Sequence, residues 1–313
     1  MPLLTQDLPD LSDLDREAWG DALQELVARH GDYIVLDDDH HVMQLGEGDR
    51  LIVTFESAHD ICNSQDDALP LGLSLATRLE ASIMIVMCMR PTWFRAQPVY
   101  DFFDALTDEG VFDGFDHVVF YGAGMGGYGA CAFAPAAPGC DVVAVSPHAT
   151  LDPRVTEWDP RFTSLRRRSF TDRYGFGPEM VEAARAALVL YNPDDDLEAM
   201  HAALYARPAV TRFRCRYMGR DLTAAFAEMD VLVDMLTLAM DQSLDLTSFA
   251  KLYRRRRDYA PYLRLLLRET EDQDRPKLTI WLASNVYPRK AMPRMRRALE
   301  RASDAADSPS AAQ

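Results

Sequence analysis

Two rhythms of apolar and polar positions run along this chain. Near the start, Leu14, Trp19, Leu23, Leu26 and Val27 recur at helical spacing, which predicts a helix ending near His30 and Gly31. Short apolar runs follow: 33–36 (YIVL), 51–55 (LIVTF), 82–87 (SIMIVM), 117–121 (HVVFY), 142–146 (VVAVS), 187–191 (ALVLY) and 212–217 (RFRCRY). Each reads as a strand. The continuous Val/Ile runs suit strands buried on both faces. Helical patterns separate most of them, at 69–80, 98–109, 125–134, 178–186, 196–206 and 221–240. Strands alternating with helices imply right-handed crossovers and a mainly parallel sheet with helices on both faces. After residue 243 only helical spacing remains, broken near Pro261 and Pro288. The expected organisation is an N-terminal helical segment (1–30), an α/β domain (31–242), a C-terminal helical extension (243–302) and a disordered tail (303–313).

In open α/β sheets, ligands gather past the carboxyl ends of the strands. The residues there include Glu56, Ser57 and His59, the Gly122–Gly126 turn, Ser146 to His148, Asn192 to Asp196, and Gly219 with Arg220. The richest segment is YGAGMGGYGA, 121–130. It contains a G-x-G-x-x-G spacing at Gly122, Gly124 and Gly127, but three or four strands precede it. The following strand also ends in Ser146-Pro147-His148, without the acidic residue that a dinucleotide site needs. No nicotinamide or flavin cofactor is expected, nor any other.

The same segment resembles the nucleophile elbow of the α/β-hydrolase superfamily, G-x-S-x-G on a sharp strand-to-helix turn. Gly122 and Gly126 match the flanking glycines, and Gly124 stands where the serine belongs. The resemblance implies an α/β-hydrolase-like fold over 31–242 and a chain order of nucleophile, acid, histidine. Asp194 or Asp195 matches the acid. The histidine position after the last strand is taken by Arg220, and no histidine follows His201. Glycine carries no nucleophile. An arginine, with a pKa above about 12, is no general base at neutral pH. The longer run through WD at 158–159 also resembles a group of uncharacterised bacterial proteins, some labelled phosphoadenosine phosphosulfate reductase. That label is not supported here: there is no SGGKDS-like phosphate loop and no cysteine after Cys215.

The expectation is a catalytically degenerate protein that binds a small anion or a protein partner. Gly124, Met125, Gly126, Arg220, His59 and His148 are its ligand-binding candidates. The helix opening at Met125 would attract an anion beside Arg220. An Arg220 salt bridge to Asp194 or Asp195, filling the vacated cleft, is equally open. A rebuilt hydrolase or acyl-transfer site using His59, His148, Ser57 or Ser146 is the alternative. A metal site of His59, His148 and the 194–196 acids is disfavoured, because those acids read as a turn and a helix cap. By resemblance, the segment after Pro147 is a lid candidate.

Charge adds a third reading. The chain carries 49 acids against 33 lysines and arginines, a net −16. Residues 1–70 hold 17 acids and 3 arginines; residues 250–302 hold 15 cations and 6 acids. The two ends may be read as docking on each other, as solvated faces, or as contacts between chains of a homo-oligomer or assembly protein. No nucleic-acid module accompanies the basic end. Five scattered cysteines form no CxxC pair, which fits reduced thiols. The start lacks the basic and apolar regions of a signal peptide, and no apolar run approaches ~20 residues. A cytoplasmic protein without membrane contact is expected.

Overall fold

A computed structural model of the chain describes residues 8–64 and 67–307. Its centre is one eight-stranded sheet. The strands are β1 (Gly31–Asp37), β2 (His40–Leu45), β3 (Arg50–Ser57), β4 (Ser82–Cys88), β5 (His117–Ala123), β6 (Asp141–Val145), β7 (Ala186–Tyr191) and β8 (Val210–Arg214). They lie in the order β1-β2-β4-β3-β5-β6-β7-β8. Only β2 runs against its neighbours; β4, β3, β5, β6, β7 and β8 are parallel throughout.

Side chains alternate across this sheet, as the period of two requires. Along β4, Ile83, Ile85 and Met87 face one core, and Met84, Val86 and Cys88 face the other. The first core is covered by α1 (Arg16–Ala28), α2 (Ala58–Ser64) and α3 (Leu71–Ala76) and, from later in the chain, by the helices after β8. The second lies under α4 (Gln97–Asp108) and α5 (Met125–Ala132), where Phe55, Phe94, Phe103, Phe120 and Phe133 form a connected ring cluster. Between β6 and β7 come α6 (Pro153–Thr156) and α7 (Gly177–Met180), and between β7 and β8 comes α8 (Asp196–Leu204). The helical stretch expected at 221–240 is two helices, α9 (Leu222–Glu228) and α10 (Val231–Met240). Asp230, at φ +55°, breaks it between them.

The C-terminal part continues as α11 (Leu246–Leu252), α12 (Ala260–Asp272), α13 (Pro276–Val286) and α14 (Pro293–Asp307). The arginine run after α11 is a 3-10 helix, Tyr253–Asp258, where an α-helix was the expectation. Pro261 lies in the first turn of α12, where its missing N–H costs nothing. Helices α12 to α14 bury a small core of their own, with Leu263, Leu267, Ala283, Val286, Met295 and Ala298. Helix α14 extends to Asp307, into the stretch expected as a disordered tail; 308–313 lie outside the described residues.

Among the described residues, the charged ends do not pair with each other. Arg255, Arg289, Arg294 and Arg301 bond to Asp234, Asp258 and Glu271, all in the C-terminal third. Among the described residues no ion pair joins 8–70 to 250–302, and no helix is long and apolar enough to cross a membrane. The architecture is α/β, mainly parallel, with helices on both faces and a helical C-terminal part.

Candidate functional site

Strand β5 lies in the middle of the sheet, and the turn into α5 rises at its carboxyl end. A methyl group on Gly122 would meet the Gly126 carbonyl oxygen at 2.1 Å, and one on Gly126 would meet the Phe55 carbonyl oxygen at 2.1 Å. Both positions therefore exclude any side chain. Gly124, between them, has φ +53° and ψ −114°, a combination that side-chain-bearing residues adopt only at a cost. A methyl there would meet nothing within 4 Å. The turn thus keeps an elbow's backbone and the empty space a nucleophile would occupy. The Gly124 amide donates to Val145 O at 2.8 Å, and its carbonyl accepts from Tyr128 N at 3.1 Å and His148 N at 3.4 Å.

Above Gly124 is a cavity of about 320 Å³. Arg220, Asp221 and Thr223 enter it from the loop after β8, Ser146 and His148 from the end of β6, Glu198 and His201 from α8, and Arg161 and Phe162 from the insertion before β7. Arg220 does share the cavity with Gly124. Its side chain has neither hydrogen bond nor ion pair among the described residues, so it does not plug the cleft. The loop bearing it is anchored by Asn192, whose Nδ2 donates to Gly219 O at 3.0 Å.

The acid candidates lie elsewhere. Asp195 caps α8, accepting from Leu197 N and Glu198 N. Asp194 accepts from Tyr217 N at 3.1 Å and pairs with Arg216 at 3.5 Å. Neither lines the cavity. The backbone after β7 turns at once into a helix, which Asp195 caps, while the Asp194 carboxylate holds the Arg216–Tyr217 loop after β8. His59 is also absent from the cavity: it is exposed on α2, beside Asn63. Met125 and Gly126 lie just behind Gly124; Met125 Sδ accepts from Trp93 N at 3.3 Å. His148 is in the cavity wall, as expected.

Sequence reading missed Glu198, Asp159, Arg161 and His201. Ser146 Oγ donates to Glu198 Oε2 at 2.7 Å, and Asn192 N donates to the same oxygen at 3.0 Å. Burial pushes the Glu198 carboxyl up, and these two donors only partly offset it. Ser146 has φ +47°, another strained position at this site. Asp159 is gripped by Arg161 (Nη2 to Oδ2 2.7 Å) and by His201 (Nε2 to Oδ2 3.0 Å). Burial alone would raise its carboxyl. The Arg161 bonds, the His201 bond and the Arg161 charge hold it well below the usual range.

The two histidines differ. His201 Nδ1 accepts the Ala149 amide hydrogen at 3.1 Å. Its proton must then be on Nε2, aimed at Asp159. His148 has no partner for either ring nitrogen among the described residues, and its Nδ1 is fully buried. Burial, with His201 and Arg161 nearby, pushes its pKa down to about 3, so it is neutral at neutral pH. One ligand atom each of His148, Asp159 and His201 lies within 4.8 Å of the others. The donor set does not suit a metal. His201 Nε2 carries a proton, its Nδ1 lone pair is engaged, and Arg161 already neutralises Asp159. Signals for this group were present only as isolated letters in WDPRF and LEAMH, with Asp159 and His201 42 residues apart.

No protein-family model matches the chain, and no curated protein matches it. Solved structures do. One is a glycosylation-associated protein (Gap123) complex from Streptococcus agalactiae: 14% identity, TM-score 0.44, 68% of this chain and 47% of that one, so this chain spans about half its length. A hyperthermophilic esterase from the archaeon Pyrobaculum calidifontis has 18% identity and a TM-score of 0.44, over 74% and 95% of the two chains. A capsule O-acetyltransferase of Neisseria meningitidis serogroup A has 10% identity and a TM-score of 0.41, over 64% and 93%. The parallel sheet order and the strained turn at Gly124, raised at the end of a central strand, make this an α/β-hydrolase-like fold.

Proposed function

We propose that the cavity beside Gly124 binds a small anionic group, such as a carboxylate, sulfate or phosphate on a small molecule, and that the chain does not carry out acyl transfer through an elbow serine. One observation carries the reading: Arg220 lines the same cavity as Gly124, and among the described residues its side chain has no hydrogen bond or ion pair. The first turn of α5 adds the positive end of a helix dipole. The unpaired His148 ring adds a neutral polar contact, and Phe162 an apolar wall. Two carboxylates share the cavity, but both are occupied. Asp221 caps α9 through Ala224 N, and Glu198 is held by Ser146 and Asn192.

Isothermal titration of the full chain with acetate, sulfate and phosphate tests this. At least one should bind, and Arg220→Ala should weaken it about tenfold, the worth of one charge-assisted hydrogen bond. Binding that ignores Arg220→Ala would remove the proposal.

The Ser146–Glu198 hydrogen bond favours a second reading, in which Ser146 is a displaced nucleophile and Glu198 takes its proton. A fluorophosphonate probe separates the two. Stoichiometric labelling of Ser146 supports the enzyme; an unlabelled chain supports the binding protein.

A further inference from the structure

A second cavity, of about 400 Å³, lies where the end of β8 meets the C-terminal helices. It is lined by Arg214, Arg216, Tyr217, Tyr253, Arg256 and Tyr262. Three guanidinium groups and three phenol rings make up its lining, with no acid among them, in a chain whose net charge is −16. Concentrating like charge is unfavourable unless something offsets it. Arg216 is paired to Asp194 at 3.5 Å, a long and exposed contact. Arg214 has no side-chain hydrogen bond or ion pair among the described residues. Arg256 has no carboxylate either: its guanidinium lies 4.2 Å from the Tyr253 ring centroid and 5.5 Å from that of Tyr262, and Nη1 donates to Tyr253 O. Carboxylates in the neighbourhood include Asp194, paired with Arg216, and Glu269, which acts on Tyr217.

The walls are fixed. Tyr253 is buried against Phe213, Phe226 and Phe249, and its hydroxyl donates to Arg216 O at 3.5 Å. That bond ties the arginine run of the C-terminal part to the strand end. Asp194 accepts from Tyr217 N and holds Tyr217 at φ +61°. Arg256 is positioned by the Tyr253 ring beneath it and by the Tyr253 carbonyl, and a guanidinium so placed is a planar fork of the kind that fits phosphate oxygens. Flanking tyrosines offer faces on which a planar ring can stack.

We propose that this cavity is a binding site for a phosphorylated small molecule carrying a ring, of the nucleoside di- or triphosphate kind, separate from the cavity beside Gly124. Arg214, Arg216 and Arg256 take the phosphates, and Tyr217 and Tyr262 flank the ring.

Titration calorimetry of the full chain with ADP and with inorganic pyrophosphate tests it. Both are expected to bind. Arg214→Gln is expected to weaken each about tenfold, the loss of a charge-assisted contact. Arg78→Gln removes the same charge from an exposed position outside both cavities and should change neither, which separates local contact from net charge. Arg256→Lys, which keeps charge but loses the planar fork, should fall between wild type and Arg214→Gln. ADP is expected to bind tighter than pyrophosphate, since only ADP carries the ring; equal affinities would overturn the assignment of Tyr217 and Tyr262 to a ring. The proposal is overturned if neither compound binds at millimolar concentration, or if Arg214→Gln and Arg78→Gln bind alike.

Discussion

At the floor of the elbow cavity, a methyl group on Gly126 would come within 2.1 Å of a carbonyl oxygen; at Gly124, two residues away, it would meet nothing within 4 Å. The floor is shaped by backbone pressed on backbone, where only glycine fits. The rim is shaped by side chains reaching in from the segment before β7, from α8 and from the loop after β8. The floor therefore answers to substitution through backbone packing, and the rim through the contacts of single side chains. Substitution can change the rim while the floor stays intact, because the two are maintained by different forces.

The largest effect should come from the floor. Gly126→Ala forces α5 away from β3 and should cost about 3 kcal/mol in urea unfolding, the upper end for overpacking; a cost under about 1 kcal/mol would mean that the floor yields. Next, Arg161→Ala leaves the buried Asp159 carboxylate with His201 as its remaining side-chain partner, and should cost about 2 kcal/mol. Gly124→Ser is the sharpest comparison. Its side chain has room, so only the dihedral strain remains, about 1–2 kcal/mol, well below Gly126→Ala. On the proposed reading, in which Arg220 stands where the superfamily's histidine would be, the new serine should not hydrolyse p-nitrophenyl acetate.

Titration then probes the wall. The folded His148 pKa is about 3, below the ordinary 6.5, so between those values the unfolded chain binds the extra proton. Stability from neutral His148 is complete above about pH 6.5 and is lost as pH falls toward 3. Relative to His148→Phe, the wild type should lose about 1 kcal/mol per pH unit on going from pH 6 to pH 4. A difference independent of pH would show that the ring is not buried neutral. Smallest on this scale, Arg220→Ala should shift stability by less than about 0.5 kcal/mol while weakening anion binding; a large loss of stability would make Arg220 a structural residue.

Most strands were legible because a strand buried on both faces must be apolar throughout, and β3, β4, β5, β6 and β7 are. The exceptions have reasons. Strand β2, HHVMQL, opens with two histidines and carries a glutamine, so it lacks both an apolar run and clean alternation. Its His40 is satisfied only in the fold, by Asp37 and by Thr92, 52 residues on. Strand β8 is an edge strand, and it ends at Arg214 rather than reaching residue 217. Arginines at 212, 214 and 216 mimic alternation past the true end. Of the candidates drawn from strand ends and from the resemblance, Gly124, His148 and Arg220 line one cavity, whereas Asp195 caps its own helix, Asp194 holds the loop after β8 and His59 is exposed.

The sequence by itself determined the α/β architecture and the elbow, because both depend on local periodicity and on glycine's lack of a Cβ. It also determined that glycine occupies position 124 and that no histidine follows His201, which needs only residue identity and order. Tertiary structure alone decided the rest: that Arg220 is unpaired beside Gly124, that Asp159 and His201 meet, and that three arginines and three tyrosines share a cavity. Those facts depend on burial and on contacts between segments tens of residues apart, and no spacing in one chain encodes a distance across a fold.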